Sequence, residues 1–289
     1  MELTGKKIAV LGCGRSGVAA ARLALAKGAA EVCIFDANPA VLEDLAKWED
    51  NYLAGRIAKG RMTEEQVAAT KAKFHLEGTL EKAVEGVDCV IECIVEIQEV
   101  KANFFRQLDK LIDENVIVCT NSSYMVSSLF ADCLKNPSRL CNMHFYNPAL
   151  VMKFVEVVQG EHTSEATARS AYNFCLKTGK KPAWMKKEIA GFLCNYVYGG
   201  AQARGRYMVE NGYCTPQDVD TAMEYGFNYK MGPFRTQDFI GLDTSFSIMD
   251  NNYKMSGKKP DMYDIYKEMV EKGHLGRKTG KGFYDYSKK

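Results

Sequence analysis

One histidine and one carboxylate stand inside an otherwise apolar stretch, "NMHFYNPALVMKFVEVVQG", residues 142 to 160. They are His144 and Glu156, in a chain of 289 residues that holds only four histidines. "KFVEVVQG" alternates as a strand, with Phe154, Glu156 and Val158 on one face and Val155 and Val157 on the other. A carboxylate among valines is costly to bury unless it has a partner. His144 ends the preceding strand run, just before the turn-forming "YNP", so the two strands can lie side by side. A Glu–His hydrogen bond would orient the imidazole and favour its charged form. Such a pair is poised for general acid–base chemistry. A structural histidine at a strand end, with a solvent-facing glutamate on an edge strand, would show the same spacing. Patterning alone leaves both readings open.

A second constellation lies near the N-terminus. "GCGRSG" places Gly12, Gly14 and Gly17 in a GxGxxG pattern, with an apolar strand run before it and an Ala-rich helical run after it. Asp36 closes the next strand run, "EVCIFD". The glycines permit a tight turn and close backbone approach to a pyrophosphate seated on the helix N-terminus. Asp36 can accept from ribose hydroxyls, and its charge repels a 2′-phosphate. That favours NAD over NADP, although Arg15 in the turn is a possible phosphate partner. The competing reading is a strand–helix turn with no ligand. A flavin is disfavoured because the chain offers no second flavin segment.

These residues need a scaffold, and the first half of the chain supplies one. Short β-branched runs ("KKIAVLGCG", "EVCIFD", "DCVIECIV", "NVIVCTN", "RLCNMHF") alternate with helical patterns such as "EVKANFFRQLDKLI" and "SSLFADCLK". That alternation implies βαβ units and a sheet covered on both faces. Helix starts are marked by Asn38-Pro39, by a capping box at "TEEQ" (63–66), and by Thr215 with Pro216 and Asp218 behind it. Beyond "AWMKKEIAG" (183–191) the pattern turns helical to about residue 272. The expected architecture is an α/β, Rossmann-type domain over residues 1–187 and an all-helical domain over 188–289.

Composition narrows the function classes. With 46% hydrophobic and 26% charged residues the chain reads as an ordinary soluble protein, and a formal charge of +2 provides no bulk field for nucleic acid or anionic membrane. No apolar run is long enough to span a bilayer. "MELTGKKIAVLG" enters a strand run too early for a signal or transit peptide, so the expected location is cytoplasmic. The ten cysteines include no CxxC pair, and Cys13, Cys33, Cys89, Cys93 and Cys119 sit in or beside apolar runs. They read as reduced core thiols, and no metal site is expected.

Four long motifs in order carry a resemblance over essentially the whole chain. They are "MHFYNPALVMKFVEVVQG", "GFLCNYV", "DVDTAMEYGFNYKMGPFRTQDFIGLD" and "GRKTGKGFYDY". Together they resemble the short-chain L-3-hydroxyacyl-CoA dehydrogenases, most closely the bacterial 3-hydroxybutyryl-CoA dehydrogenases. The resemblance implies NAD-dependent interconversion of a short 3-hydroxyacyl-CoA and its 3-keto form. It implies that His144 is the base that takes the C3 hydroxyl proton, and that Glu156 orients it. It makes Ser123 a hydrogen-bond partner near the reacting oxygen and Asn195 the holder of the acyl group. Glu96, Lys101 and Asn147 match NAD-contacting positions. A homodimer through the helical domain is also implied. For CoA itself no basic run stands out; Arg56, Lys59 and Arg61 in "AGRIAKGRM" are the candidates.

Each residue has a plainer reading: Ser123 and Asn195 as capping residues, Lys101 as a solvated helix lysine. Four positions depart from the family pattern, Tyr124, Leu150, Tyr196 and Arg235, and they bear on acyl specificity and subunit contacts rather than on the His–Glu–Ser–Asn set. The rival functions are a related dehydrogenase of a free hydroxy acid, such as a sugar acid, and a dinucleotide-binding protein without turnover.

Overall fold

The computed structural model describes residue 2 and residues 4–287, with the side chains of Arg15, Ser16 and Met255 outside the described set. Arg15 as a phosphate partner therefore lies outside the described residues. The chain divides into two compact units, residues 1–193 and 194–289.

Among the described residues the first unit is built on eight strands: β1 Lys7–Leu11, β2 Glu31–Phe35, β3 Phe74–Leu76, β4 Cys89–Glu92, β5 Ile117–Thr120, β6 Leu140–Phe145, β7 Phe154–Val158 and β8 Lys181–Met185. Their order in the sheet is β3-β2-β1-β4-β5-β6-β7-β8. Helices α1 Arg15–Ala26, α2 Pro39–Ala58, α3 Glu64–Lys71, α4 Leu80–Val84, α5 Gln98–Leu108 and α6 Glu165–Lys177 lie between strands in sequence. Period-two alternation sends successive strand residues to opposite cores. Ile8, Val10, Ile91, Met143, Val155 and Val157 join one cluster, and Ala9, Leu11, Val90, Val118 and Leu140 join the other. Strands buried on both faces read as continuous apolar runs, which is how they showed in the sequence.

The strands from β3 through β6 pair in parallel, but β7 runs antiparallel to β6. A parallel return needs a crossover of roughly a dozen residues or more. Residues 146–153 between β6 and β7 hold no helix, so the chain doubles straight back. Helix α6 then supplies a crossover, and β8 joins β7 in parallel.

The helix starts stand where the caps placed them. Asn38 accepts from Ala40 N, and Thr63 and Gln66 form a reciprocal capping box. "SSLFADCLK" differs from an ordinary helix: Ser127–Cys133 is wound as 3₁₀, the tighter form used in short pieces.

The second unit holds α7 Phe192–Glu210 (which begins at the end of the first unit), α8 Pro216–Thr221, α9 Pro233–Ile240, α10 Leu242–Ser256 and α11 Tyr263–Glu271. Phe234, Leu242, Met249, Met262 and Tyr266 form its core. Two buried carboxylates organise its loops. Asp220 accepts from Phe234 N and Arg235 N at the start of α9, and Asp238 accepts from Phe283 N and Tyr284 N. The last segment, "GRKTGKGFYDY", is a 3₁₀ turn followed by isolated bridges rather than helix. Its backbone amides are bonded to Asp238, and Gly276 takes a φ of +91° that side chains disfavour.

Candidate active site

The antiparallel β6–β7 pair sets His144 directly opposite Glu156 in register. Directly opposed side chains share a face and stand close enough to bond. His144 Nδ1 lies 2.8 Å from Glu156 Oε2. Both are buried, the glutamate fully and the histidine to 4% exposure. In the tautomer whose Nδ1–H donates to the carboxylate, Nε2 is the nitrogen that can accept a proton. Tyr146, two residues along the same strand direction, donates its hydroxyl to the same Oε2 at 3.0 Å. The imidazole packs against the rings of Tyr146 and Phe192, at centroid distances of 4.6 and 5.6 Å.

The glycine turn is crowded at two of its three glycines. A Cβ on Gly12 would sit 2.5 Å from Cys93 O, and Gly12 has a φ of +101°. A Cβ on Gly17 would sit 2.3 Å from Gly12 O. Gly14 is different: its nearest neighbour would be 3.9 Å away, so nothing in the fold itself excludes a side chain. The N-cap residue of α1 is Gly14, which has no side chain to cap the helix. Asp36 accepts from Cys13 N at 2.9 Å and from Asn38 N, which fastens the acid beside the turn. A bare glycine at a helix N-terminus, with a carboxylate alongside, fits a dinucleotide pyrophosphate and its ribose.

Between these two features lies a polar network at the C-terminal ends of β4 and β5. Glu92 and Thr120 face each other across the β4–β5 pair, and Thr120 faces Asn142 on β6. Lys101 Nζ reaches Glu92 Oε1 at 2.6 Å, and Thr120 Oγ1 donates to the other oxygen at 2.6 Å. Lys101 is 1% exposed, so it is no solvated helix lysine. It also lies 3.5 Å from Glu96. Glu96 in turn accepts from Ser122 Oγ, from Ser123 N at 3.1 Å and from Tyr124 N at 3.3 Å. Asn121 Oδ1 accepts from Phe145 N at 2.8 Å, which ties this serine loop to the residue after His144.

Arg56, Lys59 and Arg61 line one hollow of about 270 Å³ with Tyr52, near the end of α2. A more apolar groove of about 520 Å³ is lined by Cys13, Val18, Leu45, Trp48, Ala149 and Leu150. Asn147 is exposed on the loop after β6, and Asn195 lies in the first turn of α7. Tyr124, Leu150 and Tyr196 are solvent-exposed. Arg235 pairs with Glu224 at 3.2 Å and stacks on Tyr284, so this departure is used within its own unit. Among the described residues no group of three or more His, Cys, Asp or Glu could hold a metal ion.

Residue patterning passed over Glu92 and Tyr146. Glu92 had the same signal as Glu156, one acid in an apolar strand run, and Tyr146 stood at the two-residue spacing that shares a face with His144.

The NAD binding domain model of 3-hydroxyacyl-CoA dehydrogenase matches residues 7–189, and the C-terminal domain model of the same family matches residues 191–286. The chain is 36% identical over 285 residues to a probable 3-hydroxybutyryl-CoA dehydrogenase of Bacillus subtilis, covering 98% of each. It is 32% identical to the mitochondrial hydroxyacyl-coenzyme A dehydrogenase of Rattus norvegicus, covering 97% of this chain and 91% of that one. Its fold superposes on the crystal structure of (S)-3-hydroxybutyryl-CoA dehydrogenase from Ralstonia eutropha with a TM-score of 0.87, at 29% identity, covering 99% of this chain and 100% of that one.

Proposed function

The chain belongs to the 3-hydroxyacyl-CoA dehydrogenase family, and from that premise we propose that it interconverts a short-chain (S)-3-hydroxyacyl-CoA and the 3-ketoacyl-CoA with NAD. The pair acetoacetyl-CoA and 3-hydroxybutyryl-CoA is the proposed substrate couple. The carrying observation is the opposed His144 and Glu156, bonded at 2.8 Å on the strand pair that follows the nucleotide-binding half of the sheet.

His144 Nε2 accepts the proton of the C3 hydroxyl as the C3 hydride departs, and it returns that proton in the reductive direction. Glu156 holds the ring in the tautomer that leaves Nε2 bare and stabilises the imidazolium once formed. The nicotinamide, when bound, takes or supplies the hydride. The glycine turn receives the pyrophosphate, and Asp36 selects ribose hydroxyls over a 2′-phosphate. In this reading Ser123, placed by Glu96, bonds the substrate near the reacting oxygen, and Asn195 holds the acyl group. Glu96, Lys101 and Asn147 line the cofactor side. Arg56 and Lys59, with Arg61, take the phosphates of CoA; three bases on one hollow support that assignment.

A homodimer through the second unit is part of the proposal. Tyr225 and Phe227, 85% and 73% exposed, supply apolar surface for it. So is a cytoplasmic location, supported by ten cysteines that form no disulfide among the described residues. No helix of the described residues is long and apolar enough to cross a membrane.

The test is NADH oxidation with acetoacetyl-CoA, wild type against His144→Gln. The variant is expected to lose roughly 10²- to 10⁴-fold in kcat while its NADH affinity, read by fluorescence titration, stays the same. Turnover at the wild-type rate in His144→Gln would sink the mechanism.

A further inference from the structure

Glu156 is fully buried on β7, and a single bond to an imidazole leaves a carboxylate in that place poorly compensated. The structure gives the same oxygen a second donor. Tyr146 Oη donates to Glu156 Oε2 at 3.0 Å, while His144 Nδ1 meets that oxygen at 2.8 Å. The geometry follows from the strand pair. Tyr146 is the first residue after β6 and lies two beyond His144, the spacing that carries side chains to the same side of an extended chain. Antiparallel register then brings Tyr146 toward Phe154, two residues before Glu156, and the two rings stand 5.5 Å apart. The tyrosine is thus held from one side by Phe154 and lies 4.6 Å from the imidazole itself.

From this we infer that Tyr146 is a positioning residue for the reaction: its hydroxyl fixes the carboxylate that fixes His144. The inference rests on the acid–base reading of His144 and Glu156 given above. In this role Tyr146 transfers no proton to or from the substrate. Its hydrogen bond favours the charged carboxylate and stops it rotating away from the ring. The imidazole then keeps one tautomer, and Nε2 stays aimed at the reacting oxygen. Two other neighbours supply no such bond. Phe192 contributes only its ring, and Ala183, the β8 residue in register with Glu156, has no polar side chain.

Tyr146→Phe removes the hydroxyl and keeps the ring, so the packing on His144 and Phe154 is retained. The chain has four histidines, which makes the ring nitrogens separable by ¹⁵N-histidine labelling, with His144 assigned by its loss in His144→Gln. Loss of one hydrogen bond to a charged group predicts a fall in kcat of about ten- to a hundredfold in Tyr146→Phe, with KM for acetoacetyl-CoA and for NADH unchanged. The His144 signals are expected to leave the pure Nδ1–H pattern for a mixture of tautomers. In a Glu156→Gln background, which has already lost the carboxylate, Tyr146→Phe is expected to add little further loss.

An equal loss of kcat in both backgrounds would show that the hydroxyl acts elsewhere, and would overturn the inference. So would a Tyr146→Phe enzyme with wild-type kcat and tautomer while His144→Gln is inactive. Turnover surviving in His144→Gln would instead overturn the acid–base pair itself, and this inference with it.

Discussion

Two acids, Glu156 and Glu92, interrupt apolar strands, and each is made tolerable by a different partner. Glu156 has a histidine and a tyrosine; Glu92 has Lys101, Thr120 and the amide of Ile94. A buried charge pair is costly to break from one side, because the surviving charge is left uncompensated. Lys101→Met is therefore expected to destabilise the protein by about 3–5 kcal/mol, as read by urea unfolding. An unfolding midpoint equal to that of wild type would show that Glu92 does not depend on this ammonium. The contrast between the two acids also shows what a residue in isolation tells. That Glu156 needed a partner, and that His144 stood within reach, was legible from alternation. That Lys101 is a core residue was not, because a lysine on a polar-looking helix face reads as solvated until the fold closes over it.

At the scale of elements, the glycine turn and the β6–β7 return do the positioning. The turn's three glycines look equivalent in the sequence, but the fold needs only two of them. Gly17→Ala drives a methyl into Gly12 O, so reduced soluble yield and lowered thermal stability are expected. Gly14→Ala meets nothing nearer than 3.9 Å, so folding is expected to survive. Its NADH affinity should still fall about tenfold or more, because the methyl stands where the pyrophosphate must approach. Thermal melts and cofactor titration of the two variants separate these effects; unaltered NADH affinity in Gly14→Ala would remove the turn from the binding site. The return from β6 to β7 was only partly legible. βαβ alternation implied parallel strands, whereas the helix-free segment 146–153 forces an antiparallel pair. That reversal is what places His144 opposite Glu156 rather than offset from it.

At the scale of the whole molecule, the two units differ in how they hold together. The first relies on continuous apolar strands. The second relies on a small aromatic core and two buried aspartates that bind loop amides. It also leaves Tyr225 and Phe227 largely in solvent. A homodimer formed there predicts a sedimentation mass near twice 32.3 kDa, and a shift toward the monomer in Phe227→Asp. A wild-type protein that sediments as a monomer at micromolar concentration would contradict this.

By itself the sequence determined the strand and helix runs, the glycine turn with its acid, the capping boxes and the pairing need of Glu156. These depend on local periodicity and local turn chemistry, which a linear chain displays directly. Tertiary structure alone decided which neighbours the polar residues meet. The row of Glu92, Thr120 and Asn142 across three strands, the burial of Lys101, and the second donor on Glu156 all arise from register between strands distant in sequence. Register is set by how the sheet packs as a whole, because each strand's buried face must match its neighbour's. No stretch of the chain read alone contains that information.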